Sequence, residues 1–249
     1  PHMYALCEDE SVIGTSFYVM DYLDGRVFRE SVMPEASEAE RRAVYANLAE
    51  NLAKLHAVDY EKVGLGDFGK PGNYFDRQIG RWIKQYRGAR TADVPAMEKL
   101  IDYLPKNLPD EPSVTIAHGD YRLGNTMFHA SEPRMIAVLD WELSTLGDPI
   151  ADFSYLMLNW HNPHDGRAGL EGLDLEALGI PTKDEAVARY VARTGYPVPP
   201  MDWYFAYNLF RLAGIMQGIK KRVIDGTASS AHAKSMSERV APLVGRAYQ

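Results

Sequence analysis

Residues able to accept a proton and to bind a metal ion are concentrated in one short stretch, residues 116–125. It reads Ile-Ala-His-Gly-Asp-Tyr-Arg-Leu-Gly-Asn and lies between two short apolar runs that are predicted strands. Asp120 can take a proton from a hydroxyl group, and Asn125 offers an amide oxygen to a divalent cation. A second carboxylate, Asp140, ends the next apolar run and is suited to bind Mg²⁺. Glu142 is either a further ligand or a solvated side chain.

This set of residues suits the transfer of a phosphoryl group to an alcohol. In that reaction a carboxylate accepts the hydroxyl proton, and Mg²⁺ is held against the phosphates. Asp120 precedes Asn125 by five positions, the spacing of the base and the metal-binding asparagine in the kinase catalytic loop. A lone aspartate in a turn or at a strand end has a structural explanation. The three residues in this order favour the chemistry.

The elements that must position these residues follow a simple order along the chain. A β-hairpin is predicted first, then helices, then a small group of strands around Asp120 and Asp140, then more helices. The predicted strands are 3–7, 16–22, 113–117, 125–129 and 134–140, and the predicted helices are 37–56, 73–86, 94–104, 149–160, 183–193, 202–222 and 228–247. Because strands and helices do not alternate, the fold class is α+β and not a doubly wound parallel sheet.

Several motifs in this order resemble one known family. They are the loop that begins His118-Gly-Asp, the segment Leu139-Asp-Trp-Glu, and the segment Gly147-Asp-Pro-Ile-Ala-Asp. Two further segments, 17–25 and 54–59, match as well. Together they resemble the aminoglycoside-phosphotransferase and choline-kinase-like family, most closely the branch related to kinase domains attached to acyl-CoA dehydrogenases. The resemblance covers nearly the whole chain.

The resemblance implies a protein-kinase-like fold and a role for each motif. Residues 1–25 would be a β-hairpin remnant of the small lobe with the hinge, and residues 26–249 a mainly helical catalytic lobe. The implied cofactors are Mg²⁺ and ATP (or GTP). The implied site residues are Asp120 as the base or the residue that orients the hydroxyl, Asn125 and Asp140 as metal ligands, His118 and Asp152 as residues that order the loop, and Met20, Asp21 and Tyr22 around the adenine.

One part of the family pattern is not found before Met3. Kinases of this type begin with a Gly-rich phosphate loop, a strand with a lysine, and a helix with that lysine's glutamate partner. The sequence would therefore start at the fourth strand of a five-stranded small lobe. Either the chain is a fragment of an active kinase, or it is a degenerate member that binds a ligand without catalysing the transfer. The intact set of catalytic residues favours the fragment.

Three residues in apolar helices are predicted to be buried. Arg211 lies in a helix that is apolar almost all round, so it needs a carboxylate of the fold or an anionic substrate as its partner. A carboxylate of the fold is the favoured partner. Trp160 packs the core or lines the acceptor pocket, and it is the first aromatic residue to test there. His56 is expected in the core.

Composition narrows the partners and the location. The net charge of −7 disfavours nucleic acid and anionic membranes as partners. There is one cysteine, no apolar run near the ~20 residues that span a bilayer, and no secretory signal pattern at the start. These features predict a soluble cytoplasmic protein.

The acceptor, the nucleotide and the oligomeric state are not determined by these motifs. A small-molecule hydroxyl is the expected acceptor: an aminoglycoside by the family name, or a metabolic alcohol such as a hydroxyacyl-CoA by the nearest branch, which we favour. A non-catalytic nucleotide- or metabolite-binding module and a metal-dependent hydrolase are the alternatives. A protein kinase is disfavoured because His-Gly-Asp replaces His-Arg-Asp.

Overall fold

The computed structural model describes residues 1–228 and 240–247, which form a mixed α/β fold in the predicted order. The predicted last helix is seen only from residue 240, because residues 229–239 lie outside the described part. The strands are β1 Met3–Cys7, β2 Phe17–Met20, β3 Gly25–Arg26, β4 Thr115–Ala117, β5 Thr126–His129, β6 Met135–Val138 and β7 Thr145–Gly147. The helices are α1 Glu38–His56, α2 Tyr74–Ala89, α3 Pro95–Lys106, α4 Pro149–His161, α5 Lys183–Thr194, α6 Asp202–Ile224 and α7 Val240–Arg246.

The strands form three small antiparallel sheets. Strand β1 pairs with β2, β5 lies between β3 and β6, and β4 pairs with β7. Strand β7 was not predicted from the sequence, because three residues are too few to show an alternating pattern. The second predicted strand was expected to end at residue 22, but the chain continues into a further short strand, β3, in which Gly25 pairs with His129. The third predicted strand of the β cluster ends at Val138, two residues earlier than expected.

The helices enclose the core, and hydrogen bonds at their N-termini fix where α1 and α2 begin. Helix α1 begins at a Ser37 cap, whose hydroxyl accepts a hydrogen bond from the Glu40 N–H at 3.2 Å. Helix α2 has no side-chain cap of its own. Instead, the carboxylate of Glu111 accepts hydrogen bonds from the backbone N–H groups of Tyr74 and Phe75, at 2.7 and 2.8 Å. A residue in the segment before β4 thus fixes the start of α2.

Residues 64–70 have a glycine pattern found in phosphate-binding turns, Gly-Leu-Gly-Asp-Phe-Gly-Lys. Such a turn connects a strand to the first turn of a helix, where backbone N–H groups meet the phosphate. Here the segment follows helix α1, and three further residues separate it from α2. Gly69 packs against β7, where an added Cβ would lie 2.7 Å from the Leu146 nitrogen. The glycine therefore serves close packing, and the segment is not a strand-to-helix phosphate loop.

The hairpin of β1 and β2 presents apolar side chains to solvent. The exposed ones include Met3, Tyr4, Leu6, Tyr18, Val19 and Met20. Among the described helices, none is long and apolar enough to cross a lipid bilayer.

Candidate active site

The loop after β4 is anchored by Asp152, a buried residue on helix α4. Its carboxylate accepts hydrogen bonds from the backbone N–H groups of His118 at 2.5 Å and Gly119 at 2.8 Å. His56 Nε2 lies 3.5 Å from the same carboxylate. Burial alone would raise the pKa of Asp152, but the hydrogen bonds from His56 and the two N–H groups outweigh it and lower the pKa. The carboxylate is therefore ionised and holds the loop backbone.

His118 connects this loop to the segment that carries Asp140. Its ring is fully buried. Nδ1 accepts from the Asp120 N–H at 3.1 Å, and Nε2 lies 2.9 Å from the Leu139 carbonyl oxygen. These two contacts require the tautomer with the proton on Nε2. A second link runs from the Leu139 N–H to the Asn125 carbonyl oxygen at 2.8 Å. The backbones around all three predicted catalytic residues are thus joined by direct hydrogen bonds.

The side chains of Asp120 and Asn125 lie in contact. The Asn125 amide Nδ2 donates to Asp120 Oδ2 at 2.7 Å and to the Asp120 backbone oxygen at 3.0 Å. Arg122 Nε lies 3.4 Å from the same Oδ2. The Tyr155 hydroxyl, on α4, also interacts with the Asp120 carboxylate. Because a carboxylate has about four lone-pair sites, Asp120 can still accept a hydrogen bond from a bound hydroxyl group, the first requirement of a general base.

Asp140 offers an oxygen ligand with no competing partner. It adopts the left-handed conformation (φ 68°), is exposed, and forms no hydrogen bond or ion pair with the described residues. The Asn125 side chain donates its amide N–H to Asp120, which leaves its Oδ1 available as a metal ligand. In the described chain no group of three His, Cys, Asp or Glu side chains could hold a metal alone. Because Mg²⁺ is held by one or two protein oxygens with phosphate and water completing the shell, Asn125 and Asp140 fit the ion.

The predicted adenine residues lie at the end of β2. Met20 and Tyr22 are exposed, Tyr22 to 90%. The Asp21 carboxylate accepts hydrogen bonds from the His2 N–H at 2.6 Å and from the Tyr4 hydroxyl, and these contacts lower its pKa. The Asp21 side chain is thus bound to β1, while its exposed neighbours remain open to a ligand.

A cleft of about 170 Å³ opens beside the loop. Its walls come from α1, α4, the loop itself and the segment after β3. Arg29 and Arg122 are the charged side chains among its lining residues, and Ser31, Asn159 and Tyr155 add polar groups. Arg29 is exposed and has no ion pair within the described chain. The charged side chains that line the cleft are therefore both cationic, with Arg122 paired to Asp120, although the protein as a whole is acidic.

Arg211 is buried, but the favoured carboxylate partner is not found among the described residues. Its guanidinium carbon lies 4.9 Å from the centroid of the Tyr155 ring and 5.6 Å from that of Trp82. Tyr155 in turn lies near Asp120, and burial together with the Asp120 charge raises the Tyr155 pKa. The helix was predicted correctly, but the partner was not, because ring contacts between helices leave no pattern in the sequence.

Trp160 and His56 are both buried. The Trp160 indole N–H donates to the Pro181 carbonyl at 2.8 Å, and its ring packs edge-on against Tyr45, which lines the cleft. A role of Trp160 in acceptor binding stays a prediction. His56 contacts the Tyr190 hydroxyl through Nδ1 at 2.6 Å. Sequence reasoning missed Tyr155 and Arg29. Among the charged residues of the cleft, only Arg122 could have been suspected from the sequence, because it lies two residues after Asp120.

The fold and this loop define a kinase-like phosphotransferase. The model of the family described as "Phosphotransferase enzyme family" matches residues 1–190, and the chain belongs to this family. Mouse acyl-CoA dehydrogenase family member 10 is 43% identical over 239 residues, which cover 94% of this chain but only 22% of that protein. The chain thus spans about a fifth of this relative's length.

Solved structures agree with this assignment. A provisionally named aminoglycoside phosphotransferase from Ralstonia eutropha is 51% identical and aligns with a TM-score of 0.92, covering 99% of this chain and 76% of that one. The GDP complex of aminoglycoside 2'-phosphotransferase-IIIa aligns with a TM-score of 0.57 over 99% of this chain and 74% of that one. At 12% identity the second similarity shows the fold alone.

Proposed function

We propose that the protein transfers the γ-phosphoryl group of ATP or GTP to a hydroxyl group of a small anionic metabolite, such as a hydroxyacyl-CoA. The observation that carries the proposal is the Asp120 carboxylate, held by the Asn125 amide in a loop beside a cleft whose charged lining residues are arginines. In this assignment Asp120 accepts the proton of the acceptor hydroxyl, while Asn125 keeps its carboxylate in position. Bound Mg²⁺ would supply charge neutralisation on the phosphates.

The residues of this chain orient the groups that react. Asp152 holds the loop backbone, so that Asp120 does not need to reorganise when the acceptor arrives. His118 keeps the Asp140 segment at a fixed distance from Asp120. Preorganised geometry of this kind is a principal source of rate enhancement in phosphoryl transfer.

The charge of the cleft favours an anionic acceptor over an aminoglycoside. An aminoglycoside is a polycation and calls for carboxylates around it, whereas Arg29 and Arg122 would repel it. The phosphates of a coenzyme A thioester would be attracted by the same arginines. The similarity to mouse acyl-CoA dehydrogenase family member 10 supports an acyl-CoA-related metabolite as well.

A transfer assay on the full-length protein tests the proposal. Labelled ATP or GTP, Mg²⁺ and a mixed hydroxyacyl-CoA pool are incubated with wild type, with Asp120→Asn, and with Asp184→Asn, an exposed control on α5. We expect label on the thioester pool, a loss of about 10²–10⁴-fold in Asp120→Asn, and no change in the control. Label on aminoglycosides alone would overturn the acceptor. Release of phosphate to water alone would indicate a hydrolase.

A further inference from the structure

Arg211 on helix α6 is a buried cation that forms no direct ion pair within the described chain, although the charge of Asp120 reaches it. The residue is 5% exposed, and its Nε is buried with no hydrogen bond. The contacts around the guanidinium are aromatic rings, those of Trp82 and Tyr155. Removing a charge from water without a hydrogen-bonded counter-ion is strongly unfavourable. Such a residue is expected where a ligand completes its environment.

The polar groups near Arg211 are also short of acceptors. The indole N–H of Trp82 is buried without a hydrogen-bond partner, and the Tyr207 hydroxyl lies beside the Tyr74 hydroxyl. The Trp203 indole N–H, on a ring stacked against Tyr207, is unpaired in the same way. Indole and guanidinium groups only donate hydrogen bonds. A bound oxygen anion or carbonyl oxygen would supply the acceptor that Arg211 Nε lacks.

The location of Arg211 ties this group to the acceptor. Tyr155 contacts the guanidinium and also lines the cleft beside the catalytic loop. The charge of Asp120 acts on both Tyr155 and Arg211. Leu212, the next residue on α6, lies in the cleft wall as well. A molecule with its hydroxyl at Asp120 therefore has the Arg211 cluster close by.

We propose that Arg211, with Trp82 and Tyr207, binds an acyl oxygen of the acceptor, either the carboxylate of a hydroxy acid or the carbonyl of its thioester. This inference rests on the proposed function, since it places the accepting hydroxyl at Asp120. The Asp120 carboxylate repels a nearby anionic oxygen, and Arg211 supplies the compensating charge. The site would select hydroxyacyl compounds over alcohols that lack an acyl oxygen.

Matched acceptors and matched variants test the site. Short hydroxycarboxylates such as 3-hydroxybutyrate, their coenzyme A thioesters, and the diols of the same carbon skeletons are compared on the full-length protein. The variants are Arg211→Gln, Arg211→Lys and the control Arg222→Gln, which changes an exposed arginine at the end of α6. Dissociation constants are measured by calorimetry, and kcat and KM by phosphate transfer. Arg211→Lys keeps the buried cation in case Arg211→Gln does not fold.

For Arg211→Gln we expect acyl acceptors to bind about 10- to 100-fold more weakly, with the KM for nucleotide and the weak use of diols unchanged. The affinity of Arg211→Lys for acyl acceptors should lie between those of wild type and Arg211→Gln, because its ammonium group keeps the charge but not the planar guanidinium geometry. Arg222→Gln should match wild type. If the hydroxycarboxylates lose affinity, the bound oxygen belongs to a carboxylate. If the thioesters lose affinity, it belongs to a thioester carbonyl.

Two results separate this inference from the proposed function. Transfer that requires Asp120 but is indifferent to both Arg211 variants would overturn the Arg211 site alone. Weakened binding of hydroxy acids in the Arg211 variants, without transfer to any acceptor, would leave the site standing and overturn the kinase. No binding of any acyl compound to wild type would overturn the site.

Discussion

The catalytic loop and the N-terminal hairpin are held in opposite ways. The loop is bonded to helix α4 through Asp152, to α1 through the Tyr121 hydroxyl and the Leu48 carbonyl, and to the Asp140 segment through His118. The hairpin holds itself together through its own strand pairs and the Asp21 contacts, with Leu6 69% and Tyr18 59% exposed. The loop proposed to perform the chemistry is thus anchored to three other segments. The hairpin predicted to contact the adenine is exposed to solvent.

This contrast fits the different tasks of the two regions. A proton acceptor must be within hydrogen-bond reach of the hydroxyl when the phosphoryl group moves, so its loop benefits from several anchors. Adenine recognition uses the backbone and apolar side chains, which a hairpin can present without deep burial. The predictions below test whether stability is distributed as the contacts indicate.

The largest effect is expected at the loop anchor. Asp152→Ala removes the acceptor of two buried N–H groups and leaves His56 without its carboxylate. We expect a loss of about 2–5 kcal/mol in the free energy of unfolding. Urea denaturation measures it, with the exposed Asp184→Asn as control. A loss below ~1 kcal/mol would mean that the loop is held by its flanking strands instead.

A pH effect is expected next, at Asp148, which caps α4. Burial raises its pKa to about 7, although the Ile150 N–H bond opposes the shift. Because the folded pKa is raised, the folded state holds a proton that the unfolded state has released, and stability falls as pH rises from about 4 to about 7. The slope contributed by this group is up to about 1.4 kcal/mol per pH unit.

Asp148→Asn should remove that slope and keep the cap, since asparagine caps a helix as well as aspartate does. Thermal melting across this pH range, compared with Asp184→Asn, provides the measurement. An unchanged slope in Asp148→Asn would show that Asp148 titrates at its ordinary pKa and that the interior near the loop is wetter than the contacts indicate.

The smallest effect is expected in the hairpin. Leu6 and Tyr18 face each other across β1 and β2 at an exposed position. Leu6→Thr and Tyr18→Thr should each change the free energy of unfolding by less than about 0.5 kcal/mol, since surface substitutions with little burial have small effects. A loss near 2 kcal/mol in either variant would show that this face is covered in solution, and the contrast between the two regions would fail.

The features that could be predicted from the sequence are those that depend on neighbouring residues in the chain. The element order, the loop at 116–125 and the burial of Arg211 follow from periodicity, spacing and the apolar composition of α6. Contacts between distant segments were not predictable. Glu111 caps α2 across 36 and 37 residues, β7 is too short to carry a pattern, and Tyr155 reaches Asp120 from another helix. The cationic cleft is likewise built from separate segments, so the overall acidic charge did not reveal it.

The central claim is that Asp120 acts on the acceptor while Asp140 acts on the nucleotide. The direct test measures Mg²⁺-nucleotide binding and phosphoryl transfer on the same preparations of wild type, Asp120→Asn and Asp140→Asn. We predict that Asp120→Asn binds ATP or GTP as wild type does and transfers about 10²–10⁴-fold more slowly, whereas Asp140→Asn loses both. Nucleotide binding lost with Asp120, or transfer retained without it, would contradict the account.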